Sequence, residues 1–116
     1  MPRTVLIVDD HPSFRAAARL LLEHDGFDVI GEAEDGLSGL AAASALSPDV
    51  VLLDVNLPDL DGFDVASRIC IDQAAPKVVL TSSRDPREFG PLVSRSGARG
   101  FIPKGELTGE ALCALL

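Results

Sequence analysis

Tryptophan and tyrosine are absent, and phenylalanine occurs only five times in 116 residues. That excludes the aromatic platforms on which proteins stack nucleic-acid bases. Cysteine is scarce too: Cys70 and Cys113 stand far apart, with no CxxC pair. A disulfide scaffold and a structural zinc site are thereby excluded, and the two thiols fit a reducing compartment. Positive charge is in short supply, with 10 Lys and Arg against 18 Asp and Glu and a net charge of −8. So acidic a chain is poorly suited to grip a phosphate backbone or an anionic membrane surface by itself. No apolar run approaches the roughly 20 residues of a membrane span. Nor is there a linker, an internal repeat or a low-complexity tract.

The chain has the length of one domain, and its 47% hydrophobic share supports a folded core. Two kinds of segment alternate along it. Short apolar, β-branched stretches cover residues 4–8, 27–31, 50–53, 78–80 and 100–102. The near-continuous apolar runs among them suit strands buried on both faces of a parallel sheet. Between them lie helical spacings: Phe14, Ala17, Ala18, Leu21 and Leu22; Leu37, Leu40 and Ala41; Val65, Ala66 and Ile69; Leu112, Leu115 and Leu116. Pro12 fits a first helical position after His11, and Gly26 fits a helix C-terminal cap. Asp85-Pro86-Arg87-Glu88 reads as a capping box, and Thr108 with Glu110 as another helix start. Asp35-Gly36 and Asp61-Gly62 mark turns, with Asp61 capping the third helix. Gly90-Pro91 interrupts the fourth helix, which should be short, kinked or restarted at Pro91. Five βα repeats with right-handed crossovers predict a flavodoxin-like doubly wound α/β sandwich, a five-stranded parallel sheet of order 2-1-3-4-5.

In such a sheet ligands bind beyond the carboxyl ends of the strands. That rule selects Asp9 and Asp10 after the first strand, Asp54 after the third, Thr81 and Ser82 after the fourth, and Lys104 after the fifth. Three ionised carboxylates repel one another unless a hard divalent cation compensates, and Mg²⁺ suits a few carboxylates while keeping waters for a phosphate. An ammonium and a hydroxyl at the same edge complete the parts of a phosphoryl-transfer site.

The runs Val8-Asp9-Asp10, Leu53-Asp54-Val55-Asn56-Leu57-Pro58-Asp59-Leu60-Asp61-Gly62, Leu80-Thr81-Ser82-Ser83 and Phe101-Ile102-Pro103-Lys104 together resemble the receiver domain of two-component response regulators. The resemblance spans essentially all of residues 1–116. Leu-Ile-Val-Asp-Asp-His-Pro-Ser-Phe-Arg and the Gly-Ala-Arg-Gly-Phe before the lysine resemble the subfamily that carries a LuxR-type helix-turn-helix after the receiver. It implies that Asp54 is the phosphoacceptor, and that Asp10 and Asp54 bind Mg²⁺ together with the backbone carbonyl of Asn56. Asp9 would act through water or in the ion's outer shell. Lys104 would pair with phosphoryl oxygens, Thr81 would be the switch hydroxyl, and Phe101 the aromatic that turns inward behind it. The implied phosphodonor is a sensor histidine kinase, and the implied setting is the cytoplasm, without a membrane contact. Activation would bring a homodimer, and DNA would be reached only through a C-terminal domain absent from this chain. On this reading the chain, ending at Leu116 within the last helix, is the N-terminal piece of a longer transcription regulator. Two departures stand out: Gly105 follows the lysine where many receivers have proline, and Gly90-Pro91 breaks the fourth helix.

Two other readings compete. A phosphohydrolase of the haloacid-dehalogenase type also forms an aspartyl phosphate, but it needs an acid two residues after the nucleophile, where this chain has Asn56. A receiver-like interaction module that works without phosphorylation would usually lack an acid or the lysine. Among the remaining polar residues, His11 reads as an exposed residue at a helix start rather than a base or ligand. Asp59 and Asp61 read as loop residues rather than ligands. Arg84 and Arg87 belong to a solvated helix start, and His24, Cys70 and Cys113 carry no chemistry.

Overall fold

The computed structural model describes residues 3–71 and 75–116. In chain order the elements are β1 (Thr4–Val8), α1 (Pro12–His24), β2 (Asp28–Ala33), α2 (Gly36–Leu46), β3 (Val50–Asp54), α3 (Gly62–Ile69), β4 (Lys77–Ser82), α4 (Leu92–Arg95), β5 (Gly100–Pro103) and α5 (Gly109–Ala114). Short 3-10 turns cover Pro86–Glu88 and Lys104–Glu106. The strands form one parallel sheet in the order β2-β1-β3-β4-β5, as the alternation of segments predicts.

Two cores lie on the two faces of the sheet, because successive residues of a strand point to opposite sides. Leu6, Val8, Val51, Leu53, Val78 and Leu80 face α2 and α3. Val5, Ile7, Val50, Leu52 and Val79 face Ala18 and Leu22 of α1 and Leu112 of α5. Covered on both sides, β1 and β3 tolerate no polar residue until they emerge at Asp9 and Asp54, and those ends are where the site begins.

Helix punctuation follows the chemistry of the capping residues, with two corrections. Pro12 starts α1 after His11, and Gly26 ends it at φ +95°. Asp61 caps α3 by accepting the Phe63 amide at 2.8 Å. Asp35 is more than a turn residue: it caps α2 and exchanges side-chain bonds with Ser38. The first correction concerns α2. Leu37, predicted to lie inward, is 63% exposed, and Gly36, Gly39 and Ala43 are buried instead. The helix is apolar all round, so periodicity does not select a face; close approach does, and the glycine side is the one that fits.

The second correction concerns Asp85. It accepts the Arg87 amide at 2.9 Å and starts only the single turn Pro86–Glu88, not a capped helix. Gly90 then takes φ +51° and Pro91 restarts the chain as the four-residue α4. The predicted break in the fourth helix is thus present, with Gly90 supplying the left-handed step and Pro91 the new start.

Candidate functional site

The carboxyl ends of β1, β3, β4 and β5 bring Asp9, Asp10, Asp54, Thr81 and Lys104 to one edge of the sheet. Asp9 is fully buried, Asp54 is 2% exposed and Thr81 is fully buried, whereas Asp10 is partly open to solvent. One ligand atom from each of Asp9, Asp10, His11 and Asp54 falls within 4.8 Å of the others.

Lys104 reaches into this cluster from the turn that follows β5. Its Nζ lies 2.7 Å from Asp9 Oδ2 and 3.5 Å from Asp54 Oδ2. The same ammonium stands 4.5 Å above the centre of the Phe14 ring, a cation–π contact that steadies it from below. One positive charge therefore serves two buried negative ones. The balance is incomplete. The Asp9 Oδ2 and Asp10 Oδ1 atoms are buried, and neither accepts a hydrogen bond from any described residue. Asp9 Oδ2 has only its ion pair with Lys104, outside hydrogen-bond geometry. Asp54 Oδ1 is better served, accepting the Asn56 amide at 3.1 Å. Burial pushes the Asp54 carboxyl above its ordinary range and the Asp9 charge adds to this, while the Asn56 amide and Lys104 pull it back.

Thr81 pairs in register with Asp54 across β3 and β4 and with Ile102 across β4 and β5. Its hydroxyl donates to the Ile102 carbonyl at 2.7 Å. In this structure the hydroxyl is thus engaged toward β5. Phe101 is half-buried and packs its ring 5.3 Å from that of Phe89, which in turn meets the edge of Phe63 at 5.5 Å. Asn56 lies in the β3–α3 loop and forms an isolated antiparallel bridge with Asp61. Gly62 is needed behind this loop. A Cβ there would run into the Asp54 carbonyl and lie 2.6 Å from the Val55 Cα.

Several participants were not legible beforehand. His11, 62% exposed as a helix-start residue should be, nonetheless turns its Nδ1 to within 3.1 Å of Asp9 and 3.0 Å of Asp10. Arg15 donates to the Asp9 carbonyl at 2.6 Å and also bonds Glu32. The signal for Phe14 and Arg15 was present in the position of Pro12: a helix starting there turns its first-turn residues back over the end of β1. Asp61 stays a cap, as read. Asp59 turns away from the carboxylate cluster toward α2. Arg84 lines a solvent-open cavity of about 690 Å³ beside the cluster, with Asp10, Asn56, Phe63 and Phe89 among the other walls.

Buried carboxylates, two of whose oxygens lack donors, are chemically a hard-cation site, and an ionised carboxylate beside a lysine is a nucleophile whose attack on phosphorus the cations can support. Comparison with known proteins agrees with this chemistry. The family model for the response regulator receiver domain matches residues 5–116. The transcriptional regulatory protein LiaR of Bacillus subtilis is 36% identical over 113 residues, covering 96% of this chain and 53% of LiaR. The signal receiver domain of the response regulator NarL from Mycobacterium tuberculosis superposes with a TM-score of 0.87 at 32% identity, over 98% of this chain and 96% of that one. A two-component response regulator of the LuxR family from Aurantimonas sp. SI85-9A1 gives a TM-score of 0.87 at 25% identity, over 99% of this chain and 86% of its own. The chain spans about half the length of the curated relatives it matches. Fold, site and similarity converge: this chain belongs to the response regulator receiver domain family.

Proposed function

We propose that this domain is a phosphorylation-controlled switch in which Asp54 accepts a phosphoryl group from a sensor histidine kinase. One observation carries the reading: a nearly buried carboxylate lies beside a single lysine, with two further acid oxygens left without donors. Those bare oxygens fit a divalent cation. Asp10, Asp54 and the Asn56 carbonyl would hold Mg²⁺, with Asp9 behind them. When bound, the ion supplies charge neutralisation for the phosphoryl oxygens. The protein's own groups do the rest. An Asp54 oxygen forms the bond to phosphorus as the phosphorus–nitrogen bond of the donor breaks, and the electron pair returns to the imidazole. Lys104, already 3.5 Å from Asp54, takes up the new oxygens. The open cavity beside Asp10 and Arg84 admits the donor.

A phosphoryl group adds roughly −1.5 to −2 charge and needs donors. Thr81 supplies one by exchanging the Ile102 carbonyl for a phosphoryl oxygen, and Phe101 moves into the space this leaves. The pair passes the change to β5 and the broken α4, and from there to an output that controls transcription through a C-terminal DNA-binding domain and a homodimer formed on activation. The domain acts as a cytoplasmic signalling module, not as an enzyme turning over external substrates. Among the described residues no helix is long and apolar enough to cross a membrane.

The test is Mg²⁺-dependent labelling from a small acyl phosphate, together with binding of a beryllofluoride mimic. Wild type should take up one phosphoryl group and Asp54→Ala none; label persisting in that variant refutes the acceptor. Unchanged hydrogen exchange at residues 86–95 with and without the mimic would favour a static interaction module instead.

A further inference from the structure

We propose that Asp59 is a positioning residue that locks the β3–α3 loop to the first turn of α2, and that Gly36 is bare so that this lock can close. The inference rests on the reading of Asp54 and Asn56 given above and adds to it the device that fixes their spacing.

Three amides at the start of α2 have no partner within the helix. Asp35, the local cap, takes the amide of Ser38 at 2.8 Å. The other two go to a carboxylate more than twenty residues away: Asp59 Oδ1 accepts from Gly36 at 2.7 Å and Asp59 Oδ2 from Leu37 at 3.0 Å. The helix already has its own cap, so the distant carboxylate adds a tie between loop and helix. The same two amides hold the Asp59 carboxyl below the usual carboxylate range, which keeps it ionised and accepting.

Packing independently marks the same contact. A Cβ on Gly36 would lie 2.9 Å from both Cβ and Cδ1 of Leu60 and 3.1 Å from Asp59 Oδ1. Any larger residue at 36 pushes the loop away.

The loop transmits what happens at Asp59. It is closed on itself by the Asn56–Asp61 bridge and by the Gly62 amide on the Val55 carbonyl at 2.8 Å. Its Asn56 amide bonds Asp54 Oδ1. Meanwhile α2 sits against the end of β1, where a Cβ on Gly39 would lie 2.8 Å from Val8 Cγ1, one residue before Asp9. One helix thus frames both sides of the acid cluster: Gly39 fixes it to the strand that carries Asp9 and Asp10, and Gly36 fixes it to the loop that carries Asn56.

The experiment compares Asp59→Ala, Asp59→Asn and Gly36→Ala in the full chain. Mg²⁺ affinity is read by calorimetry, labelling rate with a small acyl phosphate, and exchange of the Gly36 and Leu37 amides without metal. Outer-shell support is typically worth about 10–100-fold in metal affinity. Asp59→Ala should lose Mg²⁺ affinity in that range and free both amides. Asp59→Asn, keeping one acceptor oxygen, should fall between it and wild type. Gly36→Ala should match Asp59→Ala although Asp59 is intact, and the double variant should lose less than the product of the two. A purely structural role would lower the denaturation midpoint and leave the Mg²⁺ affinity of the folded protein alone; affinities within twofold of wild type, with both amides freed, would overturn the proposal. Should Asp59→Ala not fold, the other two variants decide. Wild type that neither binds Mg²⁺ nor takes label would sink the functional reading along with the lock, whereas a working wild type with equally competent variants sinks the lock alone.

Discussion

Replacing Lys104 by methionine should destabilise the metal-free domain sharply, and the structure sets the scale. The ammonium lies 2.7 Å from Asp9 Oδ2 and 3.5 Å from Asp54 Oδ2, and its side chain is only 15% exposed. At an effective dielectric near 20 these two distances correspond to a gross attraction of about 11 kcal/mol. Most of that offsets the desolvation of three charges. What the variant exposes is the remainder: two buried carboxylates with no cation, a situation that typically costs about 3–5 kcal/mol. For a domain of this size the midpoint of thermal unfolding should fall by roughly 10–20 °C. With neither Trp nor Tyr in the chain, far-UV circular dichroism in urea is the suitable assay. Two additions test the cause. Asp54→Asn in the Lys104→Met background should recover about 1–3 kcal/mol, since neighbours in one charge network are not additive. Mg²⁺ at about 100 times its dissociation constant should return about 2.7 kcal/mol by mass action. A loss below about 1 kcal/mol in metal-free buffer, or a loss that Asp54→Asn leaves untouched, would show that the lysine does not hold the cluster together.

Asp54→Asn alone should be at least as stable as wild type without metal, and its advantage should widen with pH. The folded-state pKa of Asp54 is raised, chiefly by burial, so wild-type stability from this group is full below its unfolded pKa and is lost as pH rises through the folded value. Urea midpoints of the two proteins from pH 4 to 7 check this, and a constant difference refutes it. Thr81→Val should cost about 1–3 kcal/mol, because it removes the buried donor to the Ile102 carbonyl; the urea midpoint reads it. Gly62→Ala should cost about 1–3 kcal/mol or more through overpacking. The atoms it meets are the backbone of Asp54 and Val55, so Mg²⁺ affinity should fall with it; an unaltered titration would show that the loop gives way without disturbing the site.

Sheet order and the site's strand ends were legible because both follow from simple periodicities. A strand covered on two faces must be apolar throughout, so the first acids after Val8 and Leu53 mark its exit. The helix faces were less legible. In α3, with charged Asp64 and Arg68 on the outside, the buried Val65, Ala66 and Ile69 stand out. In α2 there is no charge between Gly36 and Leu46 to mark the wet side, and glycine contacts decide the packing. Long-range side-chain bonds lay beyond any local pattern. Nothing near Asp59 in sequence announces Gly36 and Leu37, and nothing near His11 announces which way its ring turns.

The position of Thr81 reconciles a rigid fold with a proposed switch. A fully buried hydroxyl in an interior strand cannot go without a partner, so it must always be bonded to something. Here the partner is a carbonyl of β5, the edge strand of the sheet. Trading that carbonyl for a phosphoryl oxygen exchanges one acceptor for another, and a neutral hydrogen bond is worth only about 0.5–1.5 kcal/mol net. The strands of the core need not move. The response falls on what lies beyond β5: Phe101 on Phe89, then the single turn ending at Gly90, then a four-residue α4 with no buried residue of its own. That segment has little core to lose. A change of coupling of order 1–3 kcal/mol suffices for signalling, and it is here, where the fourth helix is broken, that so small an energy can shift a population.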